Sequence, residues 1–332
     1  MADPVLHVKD SYYFEVPKPL WRVNYSKLSE VPAFLSDLKT GDLRVAKMLV
    51  AEDDPKVVGS SEYQSLLHEY NHELSGKILI PQPFGTLKNF YQPANGFCVS
   101  KFMILEVVVA LMIYVVMTAY SRRVQDGSLP KGRFWNLIDV FLLFLRNDVV
   151  RPAIGEHDAN TFLPFIWTMF FFVLGCNLMG MLPWAGSPTA SFSVTLALAA
   201  CTLGVGVLNG IARFGPVGYL LNQVPHMELP LLLSPIKLGI FAVEFLGLFI
   251  KHGVLGIRLL MNMFAGHVVL ASIIAIAVGA AAAPTLQWSI AATIVVLGSA
   301  ALSILELFVA FLQAYIFCFL SCLFIGAAIH HH

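Results

Sequence analysis

The stretch GIRLLMNMFAGHVVLAS, from Gly256 to Ser272, places an arginine inside a long apolar segment. It belongs to a run without proline from Ile236 to Ala283, and a second proline-free run extends from Thr285 to the end of the sequence. A helix of about 45 residues in each run would be about 67 Å long at about 1.5 Å per residue, more than twice the hydrocarbon core of about 30 Å. Each run therefore forms either two membrane spans, the first broken near Lys251, or one strongly tilted helix.

The composition is typical of a membrane protein. Of 332 residues, 57% are hydrophobic and 13% are charged, whereas a soluble domain carries about 25% charged residues. The formal net charge is zero, so nothing in it indicates nucleic-acid binding. About half of the charged residues lie in the first 101 positions. We therefore predict an all-α polytopic membrane protein, with a polar N-terminal region at residues 1–99 and a membrane domain at residues 100–332.

Apolar runs long enough to cross a bilayer, which takes roughly 20 residues, define the predicted spans. They lie at residues 100–121, 161–182, 190–212, 231–281 and 286–329. Residues 134–150, FWNLIDVFLLFLRNDVV, are apolar on one face and suit a helix that lies in the membrane interface. The prediction is thus about five membrane helices and one interfacial helix.

Basic residues indicate the orientation, because cytoplasmic loops of membrane proteins are enriched in lysine and arginine. The loops at 183–188 and 281–288 carry neither residue. The basic residues that flank the membrane segments fall on the other side, and they are Arg122, Arg123, Lys131, Arg133, Arg146, Arg151, Arg213 and Lys237. This pattern predicts that the N-terminal region lies outside and that the C-terminus is cytoplasmic, if each long run crosses once.

The first long run carries two polar faces if it is helical. Glu244, Lys251 and Arg258 are spaced by seven residues and share one face, drifting by about 20° per step. Asn262 stays on that face, four residues beyond Arg258. His267, nine residues beyond Arg258, falls on the opposite face.

The second long run carries one stripe of small and polar residues, with spacings of four, three, four and three. The stripe consists of Ser299, Ser303, Glu306, Ala310 and Gln313. Suppose that the two runs form an antiparallel hairpin with Gln313 level with Arg258. Glu306 then lies about 10 Å, and His267 about 13 Å, toward the outer side. The two side chains therefore reach nearly the same depth and can form an acid–base pair.

Arg258 needs a partner. A charge at the bilayer centre costs about 3 kcal/mol on insertion scales, and arginine cannot deprotonate to avoid that cost. No carboxylate of this sequence is expected at its level, so we expect the partner carboxylate on another subunit. Simpler roles stay open: Arg258 could extend to the interface, and Asn262 and Gln313 could join helices by hydrogen bonds.

The charged pairs also have simpler roles. His267 and Glu306 could be a structural pair, as could Glu244 and Lys251. The five cysteines form no CxxC pair, and we expect neither a metal site nor a disulfide from them.

Several motifs together resemble subunit a of F-type ATP synthases, the stationary proton-channel subunit. RLLMNMFAGH at 258–267 and LELFVAFLQAYIFCFLSCLFIG at 305–326 carry the resemblance, and NLMGMLP at 177–183 and SPTASFSVTLALA at 187–199 support it. It covers about residues 98–329. It implies that the last two helices form a long tilted hairpin packed on a rotating ring, which would make each long run a single helix.

The resemblance also implies partners and a location. The partners would be the c-ring proteolipids, the subunit b stalk, the remainder of the F1Fo complex, the lipid bilayer and the translocated protons. The location would be a bacterial inner membrane. No cofactor is implied.

Residue roles follow from the same resemblance. Arg258 matches the family's essential arginine, Asn262 its channel asparagine and Gln313 its glutamine on the last helix. His267 and Glu306 match an acid–base pair in the order of mitochondrial members. The segment VEFLGLFIKHGVLGIR holds Glu244 and Lys251 at the family's spacing before the arginine, which implies a cytoplasmic exit path.

The sequence departs from the family at two positions. Ser191 stands where many relatives have an acid, and His252 stands where a proline is common.

Two other functions compete with this interpretation. A secondary transporter could use Arg258 to bind an anionic substrate, but it predicts internal repeats and broken half-helices. A haem-copper oxidase subunit needs several intramembrane histidines, and only His252 and His267 qualify. No GxxxxGK[ST] loop is present in the sequence, so any ATP chemistry would occur elsewhere in a complex.

Overall fold

A computed structural model describes residues 10–30, 54–124, 132–182, 185–222, 234–279 and 285–329. The chain is an all-α membrane protein with a few short strands. It divides into two compact units, and each is described by itself. The first contains the described residues up to Val108 and those of Leu182–Pro188. The second contains Val109–Met181 and the described residues from Thr189 onward.

The first unit contains two antiparallel strand pairs and two short helices. Strand β1 (Tyr13–Glu15) pairs with β2 (Lys77–Leu79), and β3 (Gly85–Asn89) pairs with β4 (Gln92–Gly96). The helices are α1 (Pro55–Val58) and α2 (Ser61–Leu74).

Local sequence signals set the limits of α2. Ser60 caps its start, since its Oγ accepts a hydrogen bond from the Tyr63 N–H at 3.2 Å. Gly76 follows its end with a positive φ of 85°. The stretch SSEYQSLLHEYNHELSG predicts a short helix capped at Ser60 or Ser61 and stopped at Gly76, and the structure confirms that helix.

The start of the first membrane helix is fastened within this unit. Helix α3 (Lys101–Val124) donates its Phe102 N–H to the Asp10 carboxylate at 3.3 Å, and the Ser11 carbonyl accepts the Lys101 N–H at 2.8 Å. Burial raises the pKa of Asp10 above its ordinary value. Asp10 and Ser11 thereby satisfy backbone donors that the first turn of a helix leaves unpaired.

Apolar helices dominate the second unit. Helix α4 (Arg133–Phe144) continues through a π-helical turn (Leu145–Val150) into α5 (Arg151–Ile154). The longer helices follow in chain order: α6 (Glu156–Gly180), α7 (Phe192–Asn222), α8 (Ser234–Gly279) and α9 (Thr285–Ile329). Within the described residues, α3, α6, α7, α8 and α9 are the five helices long and apolar enough to cross a membrane.

Helices α8 and α9 run without a break over 46 and 45 residues. Of the two arrangements that the sequence allowed, the structure has a single helix for each run. Lys251, His252 and Gly253 do not interrupt α8. His252 is buried there, with its Nδ1 2.9 Å from the Leu248 carbonyl oxygen and its ring 4.7 Å from that of Phe324.

The core of the second unit lies where α6, α7, α8 and α9 meet. Ile166, Leu259 and Phe317 are almost fully buried in it. Lipid provides little hydrophobic force between helices, so close packing has to hold them together. At Gly256 a β-carbon would lie 2.8 Å from the Thr195 carbonyl oxygen, so only glycine allows α8 and α7 to approach this closely.

Candidate functional site

Two ionisable side chains meet between α8 and α9. His267 Nδ1 lies 3.3 Å from Glu306 Oε1, and the two side chains are only 18% and 13% exposed. The structure therefore brings together the pair that helical rise predicts at one depth when Gln313 is assumed level with Arg258. A carboxylate in such surroundings is stabilised when a cation lies beside it.

The imidazole of His267 has a second set of contacts, which comes from the backbone. Its Nδ1 is 2.9 Å from the Met263 carbonyl oxygen, one turn earlier on α8. Its Nε2 is 3.0 Å from the carbonyl oxygen of Gly180, the last residue of α6. The ring is thus fixed at both nitrogens. Sequence reasoning missed Gly180, because a backbone carbonyl gives no residue-type signal.

Glu306 sits against a glycine of the facing helix. A β-carbon at Gly266 would lie 2.8 Å from Glu306 Oε1, which is closer than such atoms come. Glu306 Oε1 is itself buried and makes no hydrogen bond among the described residues. Glu306 Oε1 thus lies 3.3 Å from His267 Nδ1, while the Met263 carbonyl oxygen lies nearer to that nitrogen, at 2.9 Å. Gly266 makes room for the carboxylate, a role that sequence reasoning also missed.

Arg258 lies nine residues before His267 on the same helix, and its surroundings differ. It is exposed, whereas its neighbour Leu259 is fully buried. Within the described ranges, Arg258 forms no ion pair and no hydrogen bond. On the same face, the Nδ2 of Asn262 is buried without a hydrogen-bond partner in the described part of the chain. Arg258 is thus open to a partner from outside the chain, whereas the amide nitrogen of Asn262 is enclosed and unpaired.

The remaining predicted residues lie apart from the His267–Glu306 pair. Lys251 Nζ is 3.7 Å from Glu244 Oε2, and these side chains are 56% and 41% exposed. Gln313 is half-buried on α9. The structure therefore groups the predicted residues as one buried pair, one exposed pair and the two unpartnered side chains of Arg258 and Asn262.

Buried hydrogen bonds hold α6 against α9 near the site. The Asn177 Nδ2 donates to the Ala310 carbonyl oxygen at 3.2 Å, and the Thr189 hydroxyl donates to Asn177 Oδ1 at 2.7 Å. Asn177 is fully buried. The amide thus fixes the end of α6, where Gly180 contacts His267.

A bidentate contact joins the same helices at their other end. Arg213 on α7 donates to both carboxylate oxygens of Asp158 at 2.9 and 3.1 Å, and to the Ile329 carbonyl oxygen at 3.1 Å. Asp158 lies in the first turn of α6, and Ile329 is the last residue of α9. One guanidinium therefore joins three helices, as its planar fork of donors allows.

Fold and site together define a class: an integral membrane protein of long helices, with ionisable side chains enclosed between the last two. Residues 102–326 match the family described as ATP synthase A chain. The chain belongs to this family.

The sequence is similar to several bacterial proteins named ATP synthase subunit a. The protein of Anaeromyxobacter dehalogenans strain 2CP-C is 40% identical over 227 residues, which is 67% of this chain and 55% of that protein. That of Myxococcus xanthus is 35% identical over 241 residues, or 70% and 75% of the two chains. The chain spans 52–64% of the length of the three Anaeromyxobacter relatives.

Proposed function

We propose that this chain is the stationary, proton-translocating subunit a of an F-type ATP synthase. It would offer two offset half-channels to carboxylates on a rotating c-ring, so that proton flow drives ATP synthesis. Beyond family membership, one observation carries the proposal. Arg258 is exposed on a membrane helix and has no counter-ion among the described residues. Such a charge is too costly in lipid without an anionic partner, and the ring carboxylate would be that partner.

The outer half-channel would be lined by Asn262, His267, Glu306 and Gln313. A proton would enter from the outside, pass the buried acid–base pair and reach the ring carboxylate. Asn262 supports this route because its buried amide has no partner in the described structure. Arg258 would attract the ionised ring carboxylate and block direct passage between the two half-channels.

The inner half-channel would pass Glu244 and Lys251. Their side chains are more exposed than the outer pair, which suits a wide, water-filled exit. The proton's driving energy is about 2.3 kcal/mol per 100 mV of membrane potential.

The assembly and the orientation belong to the same proposal. A helix of 46 residues is about 69 Å long, so α8 and α9 would lie strongly tilted, as a hairpin against the c-ring. Subunit b and the remainder of the F1Fo complex would complete the ATP synthase in a bacterial inner membrane. The N-terminal region would lie outside, the C-terminus in the cytoplasm, and residues 134–150 in the interface.

The competing proposal, a secondary transporter of an anionic substrate, requires discontinuous half-helices around its binding site. Helices α8 and α9 are continuous, and no observation favours a transporter.

The decisive experiment compares Arg258→Ala with wild type in liposomes that contain the whole purified complex. We expect ATP-driven proton pumping to fall at least about 100-fold, because the unpaired cation is lost, while ATP hydrolysis by the detached soluble part continues. Arg122→Ala is the matched control, since Arg122 is an exposed arginine at the end of α3, away from the proposed path. Pumping near the wild-type rate in the Arg258 variant would refute the proposal.

A further inference from the structure

The buried pair contains a histidine whose two ring nitrogens both face carbonyl oxygens. Met263 O lies 2.9 Å from Nδ1 and Gly180 O lies 3.0 Å from Nε2. A carbonyl oxygen only accepts hydrogen bonds. A neutral imidazole has one N–H and one acceptor nitrogen, so it can satisfy only one of these two contacts.

The doubly protonated ring satisfies both contacts. In the neutral ring, a nitrogen lone pair would point at a carbonyl oxygen about 3 Å away, and two acceptors would face each other in a mostly buried site. The imidazolium also has a counter-ion, because Glu306 Oε1 lies 3.3 Å from Nδ1. Glu306 is the charged group that faces His267 in the described structure.

We propose that His267 is a permanently charged positioning residue and that Glu306 alone carries the moving proton at this pair. A proton arriving from the outer side bonds to a carboxylate oxygen of Glu306, and it later leaves that oxygen for the next acceptor. Both N–H bonds of His267 remain intact throughout. The Gly180 carbonyl is the group that keeps the ring charged, which gives the end of α6 a part in conduction.

This inference deepens the proposed function and rests on it, because the moving proton is the one that the subunit would conduct. Its failure is distinguishable from failure of the proposed function. The Arg258→Ala experiment tests conduction as such, whereas replacing His267 tests which member of the pair transfers the proton.

The test replaces His267 with fixed cations and with a neutral residue. Proton flux is measured in liposomes with intact complexes that co-purify with their ring. If His267 is a fixed cation, His267→Lys or His267→Arg keeps flux within about tenfold of wild type, while His267→Gln loses roughly 100-fold, the scale of one acid–base group. Glu306→Gln gives the background rate.

The pH dependence of proton flux in His267→Gln is a second measurement. If the positive charge of His267 matters to the transfer, the pH profile of the residual flux in His267→Gln differs from that of wild type, whereas His267→Lys keeps the wild-type profile. A merely structural histidine would not move that profile.

His252 is the matched control. It lies on the same helix, it is buried, and its Nδ1 faces a single carbonyl oxygen, that of Leu248 at 2.9 Å. A neutral ring satisfies that contact, so the order should reverse, with His252→Gln tolerated better than His252→Lys.

Two results overturn the inference. The inference is wrong if His267→Gln conducts protons as fast as the Lys and Arg variants. It is also wrong if the Lys and Arg variants assemble but conduct only at the background rate of Glu306→Gln. If neither cationic variant assembles, carbethoxylation of the wild-type complex decides, because the reagent attacks only an unprotonated ring nitrogen. Protection of His267 throughout the pH range in which the complex pumps protons supports a held imidazolium, and labelling of His267 within that range overturns it.

Discussion

Helix α8 contributes to two acid–base pairs, one on either side of Arg258, and the pairs differ in exposure and in what surrounds them. Both members of the first pair, Glu244 and Lys251, lie on α8, whereas the second pair joins His267 of α8 to Glu306 of α9. Glu244 and Lys251 are 3.7 Å apart and about half exposed. His267 and Glu306 are 3.3 Å apart, less than one fifth exposed, and bounded by two carbonyl oxygens and a glycine. In the first pair, water can replace the contact between the two side chains at little cost in free energy, whereas in the second pair it cannot. The same helix thus carries an exchangeable pair and a fixed pair.

After the Arg258 and His267 variants, the largest effect is expected at Gly266, where the fixed pair is tightest. In Gly266→Ala, the new methyl group would lie 2.8 Å from Glu306 Oε1 and would push the carboxylate away from His267. We expect proton flux to fall by roughly ten- to 100-fold, the cost of misplacing a reacting group by about 1 Å.

The control for that variant is Gly253→Ala, at a glycine of α8 where a β-carbon would meet no atom of this chain within 4 Å. Alanine favours the helix there by up to about 1 kcal/mol. Equal flux in the two variants would mean that the position of Glu306 does not limit conduction.

A smaller effect is expected at the contact that closes the other end of the helix group. Arg213→Lys would keep the charge but lose the two-pronged contact with Asp158 and the bond to the Ile329 carbonyl. Since the arginine side chain is 42% exposed, we expect the thermal unfolding midpoint to fall by only about 2–4 °C. Flux should stay within about twofold of wild type, with Arg122→Lys as the control. A loss of flux without a change in midpoint would contradict this structural role.

The smallest effect is expected at the exchangeable pair. A double-mutant cycle of Glu244→Gln and Lys251→Gln, read from thermal unfolding, should give a coupling energy below about 1 kcal/mol that weakens in high salt. A coupling of several kcal/mol would show that the pair is desolvated in the assembled complex, and the contrast between the two pairs would disappear.

Sequence reasoning succeeded where local chemistry or helical rise sufficed. Ser60 and Gly76 mark the ends of α2 by capping chemistry. The approach of His267 to Glu306 followed from a fixed rise of about 1.5 Å per residue and one assumed level, with no tertiary contact known.

Sequence reasoning could not predict features that depend on how closely helices pack. Gly180 acts through its carbonyl, and Gly266 acts through an absent methyl group. Neither leaves a residue pattern, because the same glycine in lipid or in a loop would look identical in sequence. Whether each long run is split or continuous also depends on packing. In α8, the polar interruption stays helical, and its His252 is packed against Leu248 and Phe324.

The unbroken hydrogen-bond ladder of α8 has a further consequence. The interval between the unpartnered Arg258 and the paired His267 is nine helical rises, about 13.5 Å, and no hinge lies between them. Thermal motion of side chains can blur that interval, but it cannot change it. A single inserted residue would turn every later side chain by about 100° and move His267 away from both Glu306 and Gly180. Substitutions can therefore change charge and size along this helix, while the backbone keeps the distance between Arg258 and His267 constant.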